Sequence, residues 1–213
     1  MANPIQKLLR KMKYGDPIVV VSGLPRSGTS MMMKMLEGGG VPVVTDGERV
    51  ADVDNPKGYY EVERVKDLES ETDKSYVRDC RGKVLKVISF LLKFLPNDNF
   101  YKVVFMRRDL DEVLASQNKM LEHREEDKGA EDEKMRDLYK NHLLQTHAMT
   151  RWQPHFELLE INYREAIDDP AGVAHTINVF LGGHLDETKM VEAVDRKLYR
   201  NRKEKLTAQQ PSS

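Results

Sequence analysis

The sequence predicts an α/β fold in which a central parallel sheet carries helices on both faces. Three observations lead there. Short β-branched runs alternate with amphipathic stretches, the pattern of strand–helix–strand units. The first run ends in a glycine-containing loop that opens a helical stretch. The 213 residues suffice for a real core, and no internal repeat divides them. One domain over residues 1–213 is expected, with 1–14 as an N-terminal helix or tail and 201–213 as a flexible tail.

Each element has its own signal. Met1 to Lys13 is basic, and its Leu8, Leu9 and Met12 fall on one face of a short helix. Pro17 to Ser22 (PIVVVS) reads as a buried strand. Thr29 to Leu36 is helical, its methionines imply burial, and Gly38 to Gly40 stop it. Val41 to Val44 is a second short strand candidate. Thr45 to Tyr59 reads as loop, with turn chemistry at Asp54 to Gly58, and Glu61 to Leu68 begins a helix. Lys83 to Ser89 and Lys102 to Met106 are strands. Asp109 to Met120 is an amphipathic helix with Leu110, Val113, Leu114 and Leu121 on one side, and Asp109 with Glu112 forms a capping arrangement. Glu122 to Arg136 is dense in charge and broken by Gly129, a solvated excursion. Leu138 to Trp152 is helical and Phe156 to Tyr163 is a strand. Asp169-Pro170 opens a helix with the face Val173, Ile177, Phe180 and Leu181, closed by Gly182.

Composition removes several function classes. The 34 Lys+Arg nearly balance the 35 Asp+Glu, for a net charge of -1, so no global field favours nucleic acid. Any anion site is local. No apolar run approaches the length of a membrane span, and no apolar h-region follows the basic N-terminus, so neither a membrane partner nor a signal peptide is expected. Cys80 is the single cysteine, which excludes an internal disulfide and a cysteine zinc site and favours a reducing, cytoplasmic setting. The six histidines lack metal-ligand spacing, so no metal is expected.

The sharpest motif is Gly23-Leu24-Pro25-Arg26-Ser27-Gly28-Thr29-Ser30, between a strand and a helix. Glycines let the chain curl so that backbone N–H groups converge, and the helix start adds partial positive charge. This makes the sheet P-loop-type. Against G-x-x-x-x-G-K-[ST], both glycines and Ser30 fit, but Thr29 stands where lysine reaches the β- and γ-phosphates. The positive charge sits earlier, at Arg26, whose planar fork suits a tetrahedral oxyanion. A tight turn with no ligand is the alternative. Phe105 to Ser116 offers a second strand-to-helix junction, with Arg107 and Arg108 at the helix start, either an anion site or an exposed arginine pair.

Leu24 to Ser30 resembles the 5′-phosphosulfate loop of the sulfotransferase superfamily, whose enzymes use 3′-phosphoadenosine 5′-phosphosulfate (PAPS) and release adenosine 3′,5′-bisphosphate (PAP). The P-R-S-G-T form is similar to carbohydrate and tyrosylprotein sulfotransferases; cytosolic ones carry lysine at the place of Arg26. Phe105 to Ser116 resembles the 3′-phosphate motif R-x-P-R-D-V-L-x-S. Its contact residues map onto Arg108 and Ser116, with Leu110 and Asp111 departing from the pattern. Asp54 to Glu61 resembles N-P-x-G-x-x-E of bacterial sulfotransferase-like proteins. Tyr163-Arg164-Glu165 with Asp169-Pro170 resembles a Y-E-D-L…D-P element. The likeness covers about residues 15 to 200.

The resemblance implies sulfuryl transfer from PAPS to a hydroxyl or amine of a small-molecule, carbohydrate or peptide acceptor, without metal. Gly23, Pro25, Arg26, Ser27, Gly28, Thr29 and Ser30, with Arg108 and Ser116, would hold the nucleotide, and Arg26 would also serve catalysis. The family's K-x-H maps onto Lys86-Val87-Ile88, so the histidine base is missing. Lys86 is an electrophilic helper or an exposed strand residue. Asp46, Glu48 and Glu61 are the candidate bases, with Glu48 first and His123 an outsider. Arg196, Lys197, Arg200, Arg202 and Lys203 form either a segment closing over the 3′-phosphate or a solvated helix end. The competing reading is a non-catalytic or regulatory nucleotide- or phosphate-binding P-loop protein, with a P-loop kinase third. The acceptor depends on residues 45–60 and 122–136, whose sequence has no evident chemistry.

Overall fold

A computed structural model describes residues 4–44, 46, 60–123 and 132–194. Ile18–Gly23 (β1) is wholly buried, as a β-branched strand covered on both faces must be. It pairs in parallel with Val84–Lys86 (β2) on one side and Tyr101–Arg107 (β3) on the other. Phe156–Asn162 (β4) adds in parallel to β3, giving the order β2-β1-β3-β4.

The described helices are Pro4–Tyr14 (α1), Thr29–Gly38 (α2), Glu63–Lys66 (α3), Leu110–His123 (α4), Asp132–Trp152 (α5), Tyr163–Asp168 (α6), Pro170–Leu181 (α7) and Glu187–Glu192 (α8). Because strand side chains alternate between faces, β1 feeds two cores. Val19 and Val21 pack with Met32, Met33, Met35 and Leu36 of α2, Ile177 of α7 and Met190 of α8. Ile18 and Val20 pack with Val113 and Leu114 of α4, Tyr139 and Leu143 of α5, and Leu92. Helices therefore lie on both faces of the parallel sheet, and the fold class expected from the sequence holds.

Local boundaries differ in instructive ways. Val41 to Val44 forms a single parallel bridge, Val43 to Val84, rather than a strand. Val44 N donates to Val84 O and Val84 N to Pro42 O, but Pro42 has no N–H with which to extend the ladder. The run expected over Lys83 to Ser89 is a strand only to Lys86 and then turns into a 3₁₀ helix, Ser89–Phe94. α5 starts at Asp132, ahead of the expected Leu138, where Asp132 and Glu133 suit a helix N-terminus.

Gly23 at the end of β1 lies in register with Met106 near the end of β3. From β1 the chain passes through α2 to β2 on one side; from β3 it passes through α4 and α5 to β4 on the other. The crevice beyond the carboxyl ends of strands, where winding reverses, is where open α/β sheets bind ligands.

Candidate active site

The β1–α2 loop is built by backbone geometry. Gly23 has φ 149° and Gly28 φ 101°. A Cβ on Gly23 would sit 2.5 Å from Ser27 Oγ and 2.7 Å from the Met106 carbonyl, and one on Gly28 would strike the Tyr163 ring. Among the described residues, Arg26 is the non-glycine residue with positive φ, at 67°. A left-handed arginine is strained by the order of 1 kcal/mol. Among the described residues no side chain caps the start of α2, so its first N–H groups face the loop. Ser27 Oγ is buried with no hydrogen-bond partner. A buried hydroxyl without a partner among the described residues, in a glycine-containing loop at a helix start, fits an oxyanion ligand.

Register then brings the second turn alongside. Arg108 Nη1 donates to the Arg26 carbonyl at 3.1 Å and so pins the left-handed residue. Arg26 Nε donates to Ser116 Oγ, also at 3.1 Å, across 90 residues of sequence. Arg26, Arg108 and Ser116, picked out separately in the sequence, thus form one contiguous group. The two arginines of the second motif part company. Arg107 turns outward to His147 and Glu160. Arg108 is buried with Glu112, Nε to Oε2 at 3.0 Å, and its guanidinium lies 4.6 Å over the Tyr163 ring. Glu112, expected in a capping box, is thus engaged by Arg108, while Asp109 Oδ1 accepts from Asp111 N.

A second group lies at the end of β2. The Lys86 side chain is 7% exposed, which overturns the exposed-residue alternative. Its Nζ donates to Ser30 Oγ on the first turn of α2 and to Glu61 Oε1, each at 3.3 Å. Lys66 Nζ stands 3.8 Å from the other Glu61 oxygen. Tyr60 anchors this segment by donating to Glu37 at 2.6 Å. Asp46 accepts from Glu63 N at 2.5 Å, at the start of α3. Glu48, the Asp54 to Gly58 turn, the His123 side chain and the basic cluster Arg196 to Lys203 lie outside what is described.

Three neighbours of the site escaped the sequence. Tyr163 had been noted only as part of a resemblance, yet it wedges between Gly28 and Arg108. Glu112 carried a usable signal, the i,i+4 spacing from Arg108. His142, from α5, stacks on Phe90 at 3.7 Å, and its Nε2 meets Ser89 Oγ at 2.8 Å. Burial, with Lys93 adding to it, holds this imidazole below its ordinary pKa. Ile88, where the family pattern has histidine, is partly exposed beside it. No signal within the helix pointed α5 at this strand end. Among the described residues, no cluster of three or more His, Cys, Asp or Glu is placed to hold a metal.

The comparisons agree with this geometry. The sulfotransferase domain model matches residues 16–213. No curated protein sequence resembles the chain significantly. The sulfotransferase domain of the Synechococcus PCC 7002 olefin synthase superposes with a TM-score of 0.54 at 18% identity, covering 92% of this chain and 84% of that one. A sulfotransferase domain from the curacin biosynthetic pathway gives a TM-score of 0.50 at 14% identity, covering 85% and 79%. At such identity these likenesses speak for the fold, and the family model speaks for descent. The chain belongs to the sulfotransferase domain family.

Proposed function

We propose that this protein transfers a sulfuryl group from PAPS to a hydroxyl or amine acceptor. The observation that carries the proposal is the contact between two turns: Arg26 against Ser116, and Arg108 against the Arg26 carbonyl. One ligand with an anion at each end of an adenosine spans both. The α2 N–H groups and the unpartnered Ser27 hydroxyl suit its 5′ end, and Arg108 with Ser116 its 3′-phosphate.

Sulfuryl transfer joins the acceptor atom to sulfur, breaks the bond from sulfur to the bridging oxygen and leaves PAP. Charge grows on that bridging oxygen, so donors held ready around it act mainly on the transition state. Arg26 and the loop amides are the donors we assign. Ser116 ties the two ends together: a 3′-phosphate taking up its hydroxyl frees the Arg26 guanidinium for the bridging oxygen. Lys86, buried beside Ser30, adds positive charge from the β2 side. The acceptor's proton needs a carboxylate with an open lone pair. Asp46 Oδ2 accepts from Glu63 N at the start of α3, and Glu61 lies between Lys86 and Lys66. We assign the base to Glu48 from its place in the sequence after the second strand candidate, with Asp46 and Glu61 as the alternatives.

Calorimetry tests this reading. PAP should bind at least about tenfold more tightly than AMP or ADP, without Mg²⁺, because only PAP fills both turns. Glu48→Gln should keep PAP affinity within a fewfold and lose transfer by about a hundredfold or more. Equal affinity for AMP and PAP removes the 3′-phosphate assignment, and Mg²⁺-dependent ATP binding replaces the reading with a kinase. Tight PAP binding without transfer to any hydroxyl or amine would leave a non-catalytic nucleotide-binding protein.

A further inference from the structure

α1 presents itself the wrong way round for a helix that packs on a core. Its apolar residues Ile5, Leu8, Leu9 and Met12 follow i, i+3, i+4, i+7 spacing, so they share one face. That face points to solvent, with exposures of 67%, 60%, 59% and 77%. The opposite face holds the body of the protein. Arg10 pairs with Glu157 at 3.5 Å and lies 4.6 Å over the Phe100 ring, and buried Tyr14 packs against the same ring. The apolar stripe is therefore held outward by its own back side, not left out by loose docking. Single exposed apolar residues are ordinary, but four in one stripe mark a contact surface.

The charge on the helix says what covers the stripe. Residues Pro4 to Tyr14 include no Asp or Glu, and Lys11 and Lys13 fall on either side of the apolar face. A second copy laid on this stripe brings lysines against lysines; the helix itself holds no acid, and Asp16, just past its end, meets Lys11 at 3.0 Å. An anionic lipid surface accepts both parts at once, the apolar face below the headgroups and the lysines among them. A span needs some 20 apolar residues; an interfacial helix does not. Among the described residues no helix is long and apolar enough to cross a membrane, which bears on the first case only.

A second exposed residue lies at the same end of the sheet. Trp152, the last residue of α5, is 82% exposed. Just beyond it, the His155 carbonyl accepts from Tyr101 N at the start of β3, as the Phe100 carbonyl accepts from Ile18 N at the start of β1, where α1 ends. Lys13 is near enough to His155 to act on its charge. Tryptophan beside basic residues is the usual anchor at headgroup level. The phosphate loop is at the other end of the strands.

We propose that α1, aided by Trp152, docks this protein on an anionic membrane surface with the nucleotide-binding end of the sheet turned toward water. The test is co-sedimentation of the full chain with vesicles of phosphatidylcholine alone or with about a third phosphatidylserine. Partitioning should be at least about tenfold stronger with phosphatidylserine and weaken in high salt. Leu8→Glu with Met12→Glu should remove it, and Trp152→Ala should lower it a fewfold. Both variants should keep their circular dichroism and the wild-type affinity for PAP, since neither site touches the loop. Vesicle binding unchanged in the Leu8/Met12 double variant overturns the proposal. So does a wild-type protein that ignores vesicles, whether it sediments as a dimer that the double variant splits or is retained by an acidic protein.

Discussion

The two strand-to-helix turns at the site are built by different means. The β1–α2 turn is made of backbone: two glycines and one arginine at positive φ, an uncapped helix and a hydroxyl without a partner. The β3–α4 turn is made of side chains: Asp109 closes the helix start, and Arg108 is buried against Glu112. One turn rests on backbone geometry; the other pairs its arginine with a carboxylate of its own helix. The difference teaches where each is fragile. A backbone donor survives every substitution except proline and is otherwise lost only through strain, whereas the arginine depends on a counter-charge that one mutation deletes.

The largest effect should come from displacing the backbone. Gly28→Ala puts a Cβ into the buried Tyr163 ring, itself trapped under Arg108, and forces a side-chain residue to φ 101°. Strain of about 1–3 kcal/mol adds to overpacking of similar size, so a loss of about 3–5 kcal/mol is expected, with PAP binding lost as well. Gly40→Ala is the matched control: φ is 93°, but nothing lies within 4 Å of the new methyl, and about 1 kcal/mol is expected. Urea denaturation of both variants reads the difference. A Gly28→Ala protein as stable as the control, with PAP affinity intact, would show that the turn has room and that the backbone account is wrong.

Next is the counter-charge. Glu112→Gln keeps a hydrogen-bond acceptor for Arg108 but strands a buried cation, costing about 3 kcal/mol. The melting temperature should fall by roughly 6–12 °C. Here the two turns diverge most sharply. On the proposed reading a 3′-phosphate would supply the charge that Glu112 no longer does, so PAP should raise the melting temperature of Glu112→Gln more than that of the wild type. An equal or smaller PAP-induced rise would mean that Arg108 does not face the ligand.

The same contrast explains what the sequence revealed. The first turn was legible because its parts are contiguous: glycines at fixed spacing between a β-branched run and a helix define the conformation locally. Strands β1, β3 and β4 were legible for the same reason, and β2 less so, because Lys86 ends it before the apolar pattern does. The second turn was legible in its position but not in its wiring. Arg107 and Arg108 are neighbours in sequence, and only the fold decides that one meets Glu160 and the other is buried over the Tyr163 ring. Likewise Lys86 read equally well as exposed until Ser30 and Glu61 closed over it. His142 was out of reach altogether, since nothing in a helix's periodicity tells which of its polar residues will face a loop 53 residues away.

That histidine gives the smallest and most discriminating effect. His142 belongs to neither turn, yet it fixes the chain just past Lys86 by stacking on Phe90 and meeting the buried Ser89 hydroxyl. Burial first, and the charge of Lys93 second, hold its pKa below the ordinary value of about 6.5. The unfolded chain therefore takes up this proton at a higher pH than the folded one does. Between the two values the unfolded state binds more protons, so stability rises with pH there. The contribution is fully present above about pH 6.5 and disappears as the pH falls through the folded value. His155, also lowered by burial and by Lys13, acts in the same direction. His142→Phe keeps an aromatic ring on Phe90 but strands the Ser89 hydroxyl, a loss of about 1 kcal/mol at every pH. What it should change is the slope: between about pH 5 and 7.5 the urea midpoint should fall less steeply with acid than in the wild type, with the remaining slope due partly to His155. Parallel curves, offset but equally steep, would mean that His142 takes up its proton as readily folded as unfolded, and that the 3₁₀ helix after β2 opens far enough to let water reach it.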